Sequence, residues 1–181
     1  ARALSLEEWA PIEIDVDHRS LAGVAAEHVA AALIAGCAAD DLVAQAPTVI
    51  FAVPRIFERF KARIDQTLVD APIKRALFEA SVERGYRLAT GTATVLDRLL
   101  APGLRRIVAR PVLARFGGRL RLAVVGGAAL DPDLARTFIG LGLLLLQGYG
   151  MTEASPVIAV NRDDDNVPES VGPPVSGVEV E

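Results

Sequence analysis

A chain of 181 residues, 51% hydrophobic and 23% charged, is long enough to close one core and too short for a large multidomain enzyme. A single cysteine, Cys37, excludes a disulfide framework and any cysteine-based zinc site. The net charge of −4 is uneven: residues 1–54 set two Arg against eight acids, residues 55–121 fifteen Lys/Arg against six, and residues 122–181 two Arg against nine.

In chain order, residues 1–19 are acidic and irregular, and IEIDVD within them alternates like a short strand with one wet face. Residues 20–36 are Ala-rich, with Val24, His28, Ala31 and Ala32 on overlapping helical stripes, and Gly36 reads as a helix stop. Pro47 introduces TVIFAV, Thr48 to Val53, a β-branched run suited to a buried strand. Pro54 stands where a helix starts, and Ile56, Phe57, Phe60 and Ile64 follow at helical spacing. Pro72 opens a second helix with Ile73, Leu77, Ala80 and Leu88 on its stripe. A third covers Thr94 to Leu100, and a fourth covers Leu104 to Phe116, interrupted by Pro111. Gly117-Gly118 ends this basic helical block.

The pattern then changes. RLRLAVVGG, Arg119 to Gly127, reads as a buried strand running into a Gly turn. In DPDLARTFIGLG, Asp131 is a natural N-cap and Pro132 the first helical residue. LLLLQGYG, Leu143 to Gly150, reads as another buried strand. Strand, helix and strand within so short a span form a βαβ unit and imply a parallel sheet. After Pro156 come a polar loop, a Gly/Pro turn and VEVE, the expected start of one more strand. The fold class is therefore α/β: a parallel sheet flanked by helices, with a helical insertion over 54–116. Strands near 48–53, 120–126 and 143–147 should lie side by side, in an order the sequence does not reveal.

The longest near-apolar run, Phe138 to Leu146, is half a bilayer span, so no transmembrane helix is expected. The start of the chain does not read as a signal peptide. A basic block can attract nucleic acid, anionic lipid or a phosphorylated cofactor. Few aromatics interleave with its arginines, and no zinc-finger spacing or RNA-binding signature occurs, so no nucleic-acid partner is expected.

Chemistry points to Arg119–Pro156. Ligands of open α/β sheets bind beyond the carboxyl ends of the strands. Two such ends occur here, GGAAL at 126–130 and QGYGMTE at 147–153. Small residues let a flat ligand approach the backbone. Tyr149 adds an aromatic face, Thr152 a hydroxyl and Glu153 a carboxylate able to hold a hard cation. The set suits a purine nucleotide with Mg²⁺, although an ordinary βα turn and strand exit would read alike. The dinucleotide fingerprint fails, because Gly126 and Gly127 are adjacent, and no G-x-x-x-x-G-K-[ST] loop exists.

QGYGMTE resembles the GYGxTE signature of the AMP-forming acyl-adenylate synthetases. PTVIFAVPRIFERF (Pro47 to Phe60), the long basic helical block, LRLAVVGGAALDPDLARTFIGLG and VNRDDDNVPESVGPPVSGVEVE resemble the long-chain fatty acyl-CoA synthetase branch. The resemblance covers about residues 40–181. It implies that residues 1–181 are a central part of the AMP-binding N-terminal domain of such an enzyme, without the C-terminal domain. By position, Gly127, Ala128 and Ala129 match one wall of the adenine pocket, and Tyr149 the aromatic stacked on the other side. Gly148 and Gly150 match residues bordering the acyl-adenylate, Thr152 the phosphate contact and Glu153 the Mg²⁺ ligand. Thr152 and Glu153 would thus act in catalysis.

The implied reaction has two steps. A fatty carboxylate attacks the α-phosphate of ATP, giving acyl-AMP and pyrophosphate. Coenzyme A thiol then displaces AMP. The expected setting is cytoplasmic, and contact of the basic helical block with an anionic membrane at its inner face stays open as a further alternative. The family's Ser/Thr/Gly-rich phosphate loop ending in Pro-Lys has no counterpart here, since ATGTATV at 89–95 lacks the Lys. The chain alone is therefore expected to be inactive. Another acyl or aryl acid adenylator, and a non-catalytic nucleotide- or partner-binding module, stay open as alternatives.

Overall fold

The computed structural model describes residues 31–34, 39–154 and 157–180. Five strands form one sheet in sequence order: β1 (Ala31–Ile34), β2 (Val49–Ala52), β3 (Leu122–Val125), β4 (Leu144–Tyr149) and β5 (Ala159–Val160). The first four are parallel, and β5 pairs antiparallel with β4. The three strands expected to be neighbours are neighbours. The short α1 (Ala39–Gln45), which the sequence did not announce, joins β1 to β2. The connection from β2 to β3 holds α2 (Pro54–Leu68), α3 (Pro72–Ala89), α4 (Val95–Leu104), a π-helical turn (Arg105–Ala109) and α5 (Arg110–Ala114). The connection from β3 to β4 is α6 (Pro132–Gly140).

Two expectations about the ends of the described chain fail. The helix expected over 20–36 lies largely outside the described residues, but its positions 31–34 are β1, in register with β2 from Ala31–Val49 to Ile34–Ala52. A short apolar run such as AALI carries no period that separates a strand from a helix, and the neighbouring VIFA edge decides it. VEVE does not start a strand: no ladder includes the described residues Val178, Glu179 and Val180. Alternation alone makes no strand without a neighbour to take its backbone hydrogen bonds.

One face of the sheet carries the core. The register aligns Ile50, Ala123 and Leu145 in one row, and all three are fully or almost fully buried. The other face carries the row Phe51, Val124 and Leu146, each only half-buried. Over the buried face sits an aromatic cluster. Phe57 of α2 packs edge-on to Phe138 of α6 at 5.0 Å, and Phe116, just past α5, stacks on Phe60 at 3.9 Å. The α2 stripe of Ile56, Phe57, Phe60 and Ile64 is buried throughout, as its spacing indicated. Burying one such aromatic side chain contributes about 1.5–3 kcal/mol.

Helix α3 departs from its expected stripe. Ile73, Leu77 and Leu88 are exposed, whereas Phe78 and Ser81 are buried. The reason is a close helix crossing. A methyl group on Gly85 of α3 would lie 1.8 Å from the carbonyl oxygen of Gly140 in α6, so only two glycines allow this approach. Packing on α6 therefore selects the Phe78–Ser81–Gly85 face. Arg136 of α6 lies over the Tyr86 ring at 4.8 Å and adds a cation–π contact to the same crossing.

Candidate functional site

Both candidate segments lie at the carboxyl edge of the parallel strands. Pairing of Val125 with Gln147 brings the residues that follow, Gly126 and Gly148, side by side. The approach is close: a Cβ on Gly126 would stand 3.2 Å from the Gly148 carbonyl oxygen. The Gly126 N–H donates to the Ala52 carbonyl at 3.1 Å, which ties this turn to the end of β2 as well. Gly127 then turns the chain with φ +82, in the left-handed region that a Cβ disfavours. Ala128 and Ala129 follow, both exposed, and the chain re-enters the core at Leu130.

Gln147 fixes this turn. Its side chain is buried in β4; Oε1 accepts from the Leu130 N–H at 2.8 Å, and Nε2 donates to the Ser170 carbonyl at 3.0 Å. One amide thus joins the 126–130 turn, the strand and the 161–170 loop. Two asparagines complete the anchoring. Asn161 Nδ2 donates to the Val167 and Ser170 carbonyls at 3.0 and 2.6 Å, and Asn166 Nδ2 donates to the Leu145 carbonyl at 2.8 Å. Sequence reasoning passed over all three residues. The signal was Gln147 itself, a polar side chain inside the run LLLLQ, where burial requires partners.

Tyr149 ends β4 with 46% of its surface exposed, and its backbone carbonyl accepts from the Ile158 N–H at 2.9 Å. Its pairing with Ala159 fixes the backbone from which the ring projects. Gly150 is exposed beyond it. Thr152 and Glu153 occupy a 3-10 turn, Thr152–Ala154, and both are exposed. Neither side chain has a hydrogen bond or ion pair within the described residues. The structure therefore joins Gly127–Ala129 to Gly148–Tyr149 through the Gly126–Gly148 contact and presents Thr152 and Glu153 as exposed polar groups shortly after it. No group of three or more His, Cys, Asp or Glu among the described residues could hold a metal unaided. A lone carboxylate such as Glu153 fits Mg²⁺ shared with substrate phosphates, the usual mode for that ion.

Asp163, Asp164 and Asp165 are exposed loop residues. His28 and Cys37 lie outside the described residues.

The family profile described as "AMP-binding enzyme" matches residues 20–181. The chain belongs to the AMP-binding enzyme family. Among relatives, a protein named long-chain-fatty-acid–CoA ligase FadD15 of Mycobacterium bovis is 33% identical over 134 residues, which cover 72% of this chain and 22% of that protein. Long chain acyl-CoA synthetase 6, peroxisomal, of Arabidopsis thaliana is 33% identical over 143 residues, 78% of this chain and 20% of that one. The chain thus spans about a fifth of the length of the curated relatives it matches. Among solved structures, apo MatB from Rhodopseudomonas palustris aligns with TM-score 0.43 and 24% identity, over 78% of this chain and 20% of that one. In this AMP-binding family member, no helix of the described residues is long and apolar enough to cross a membrane.

Proposed function

We propose that these residues form part of the acyl-adenylate site of a long-chain fatty acid–CoA ligase. The observation that carries the reading is the junction of the 126–130 turn with the end of β4 at Gly126–Gly148, beside an exposed Tyr149. In this reading the backbone of Gly127, Ala128 and Ala129 forms one wall of an adenine slot. The Tyr149 ring forms the other wall. Gly148 and Gly150 leave space for the acyl-phosphate junction, since a side chain there would fill it. The Thr152 hydroxyl donates to a phosphate oxygen, and Glu153 holds Mg²⁺ together with the phosphates. Mg²⁺, when bound, neutralises charge that builds on the α-phosphate as the fatty carboxylate attacks it. Coenzyme A then receives the acyl group. The relatives' names support long-chain fatty acids over other acids, and the same reading has the enzyme collect them from a membrane through its basic helices.

The test is fatty-acid-dependent ATP–pyrophosphate exchange. The 181 residues alone should give only background exchange, because their sequence has no phosphate loop ending in Pro-Lys. A protein of the relatives' full length carrying them should exchange, with long-chain fatty acids preferred over acetate and benzoate. In that protein, Glu153→Gln should lower kcat by on the order of 10²-fold, the cost of removing one transition-state charge contact. Robust exchange by the 181 residues alone, or preference for benzoate in the longer protein, would contradict the reading.

A further inference from the structure

A groove of about 280 Å³ lies between the end of α2, the start of α3, the π-helical turn and α5. Leu68, Leu77, Phe78, Ile107 and Val112 make most of its apolar wall. Leu77 and Ile107 are 41% and 68% exposed, so apolar surface is left there for a ligand to cover. The polar side chains in the lining are Thr67, Lys74 and Arg115, and no Asp or Glu is among them. The Thr67 hydroxyl already donates to the Arg63 carbonyl at 2.9 Å. Lys74 and Arg115 are exposed and form no ion pair among the described residues. The groove is thus aliphatic in its walls and positive in the polar groups it has to offer.

This groove stands apart from the candidate adenylate site. Helix α2 starts at Pro54, directly after the carboxyl end of β2, and Leu68 closes it about 20 Å further along the axis. Arg115 stands two residues before Gly117, which packs directly on Ala46 just ahead of β2. The groove therefore lies toward the amino edge of the sheet, whereas the 126–130 turn and Tyr149 lie at the carboxyl edge. One of its walls is the π-helical turn, an uncommon conformation that recurs at functional sites. The lining selects the ligand. A nucleotide would make no use of the aliphatic wall, and a plain hydrocarbon would leave both cations unused. We propose that the groove binds a single-chain anionic amphiphile: one alkyl chain bearing a carboxylate, sulfate or phosphate. The chain covers Leu77 and Ile107, and the head pairs with Lys74 and Arg115. At about 30 Å³ for each water-sized group, the groove takes about nine carbons. None of this rests on the ligase reading.

Isothermal titration calorimetry of the chain with decanoate, kept below its aggregation concentration, tests it. Binding should be saturable, and octanoate should bind more weakly by about two- to fourfold for each methylene removed. Decyltrimethylammonium, the same chain with a cationic head, should bind about tenfold more weakly than decanoate or worse. Lys74→Glu/Arg115→Glu should reverse that preference, and Ile107→Asn should weaken both amphiphiles. These positions are exposed, so far-UV circular dichroism should stay unchanged. A saturating acyl-adenylate analogue should leave decanoate binding in place. If the analogue itself does not bind while decanoate does, the ligase reading falls and the groove stands. The inference is overturned if decanoate shows no saturable binding, or if the analogue displaces it. It is equally overturned if the wild-type chain binds both headgroups alike, or if the double variant keeps the wild-type preference.

Discussion

Replacing Gln147 by Leu would leave the Leu130 N–H buried and unpartnered, while the Ser170 carbonyl would keep its bond from Asn161. An orphaned buried donor costs about 1–3 kcal/mol. Gln147→Leu is therefore expected to lower unfolding stability by that amount in urea titrations, and to raise amide exchange at 128–130 beyond the global loss. Asp97 makes a second prediction. It forms a capping box with Thr94, whose backbone N–H and hydroxyl donate to Oδ2 at 3.0 and 2.8 Å, and Thr94 Oγ1 accepts from the Asp97 N–H. The two Thr94 bonds hold the Asp97 carboxyl below the usual carboxylate range, helped by Arg87 and Arg84 and opposed by burial. A folded pKa below the unfolded one means stability that is full above the ordinary carboxylate range and lost as pH falls through the folded value. Between neutral pH and about pH 3, Asp97→Asn should lose less stability than the wild type in paired urea titrations. The glycines, Tyr149, Thr152 and Glu153 could be named as candidates from sequence because a short motif carries them whole. Gln147, Asn161 and Asn166 were not, because their partners are backbone groups that only folding brings near.

At the scale of elements, the crossing of α3 and α6 is set by backbone contact. Gly85→Ala would drive a methyl into the Gly140 carbonyl, and a Cβ on Gly140 would in turn stand 2.2 Å from the Val82 carbonyl oxygen. Overpacking of this kind costs about 1–3 kcal/mol. Thermal unfolding of Gly85→Ala should fall accordingly, whereas Gly91→Ala, with open space at its Cβ and φ +72, should report only the milder strain of its backbone. This crossing also explains what hydrophobic spacing missed. Ile73, Leu77 and Leu88 share a helical period, but a period names faces without saying which one a neighbour covers. The α2 stripe was read correctly because its four apolar residues include two phenylalanines, and the aromatic cluster had no other source on that helix. Asp131 and Pro132 were equally legible: the Asp131 carboxylate accepts from the Leu134 N–H at 2.8 Å and starts α6 where the cap pattern placed it.

On the scale of the whole molecule, the second and third charge blocks map onto separate parts of the described fold. The basic block is the helical connection between β2 and β3, and the acidic end contains the site turn with Glu153 and the loop that Gln147 and Asn161 tie down. Sheet order could not be read from sequence, because pairing depends on where the long helical connection between β2 and β3 returns the chain. The family, in contrast, was visible in QGYGMTE, and the profile match over residues 20–181 agrees with it. We propose that an adenylate sits between the 126–130 turn and the end of β4. Hydrogen exchange with and without a non-hydrolysable long-chain acyl-adenylate analogue tests it most directly. The account predicts slowed exchange at 126–130 and 147–153, abolished by Tyr149→Ala. Saturating analogue that slows neither segment, or slows both equally in Tyr149→Ala, would contradict it.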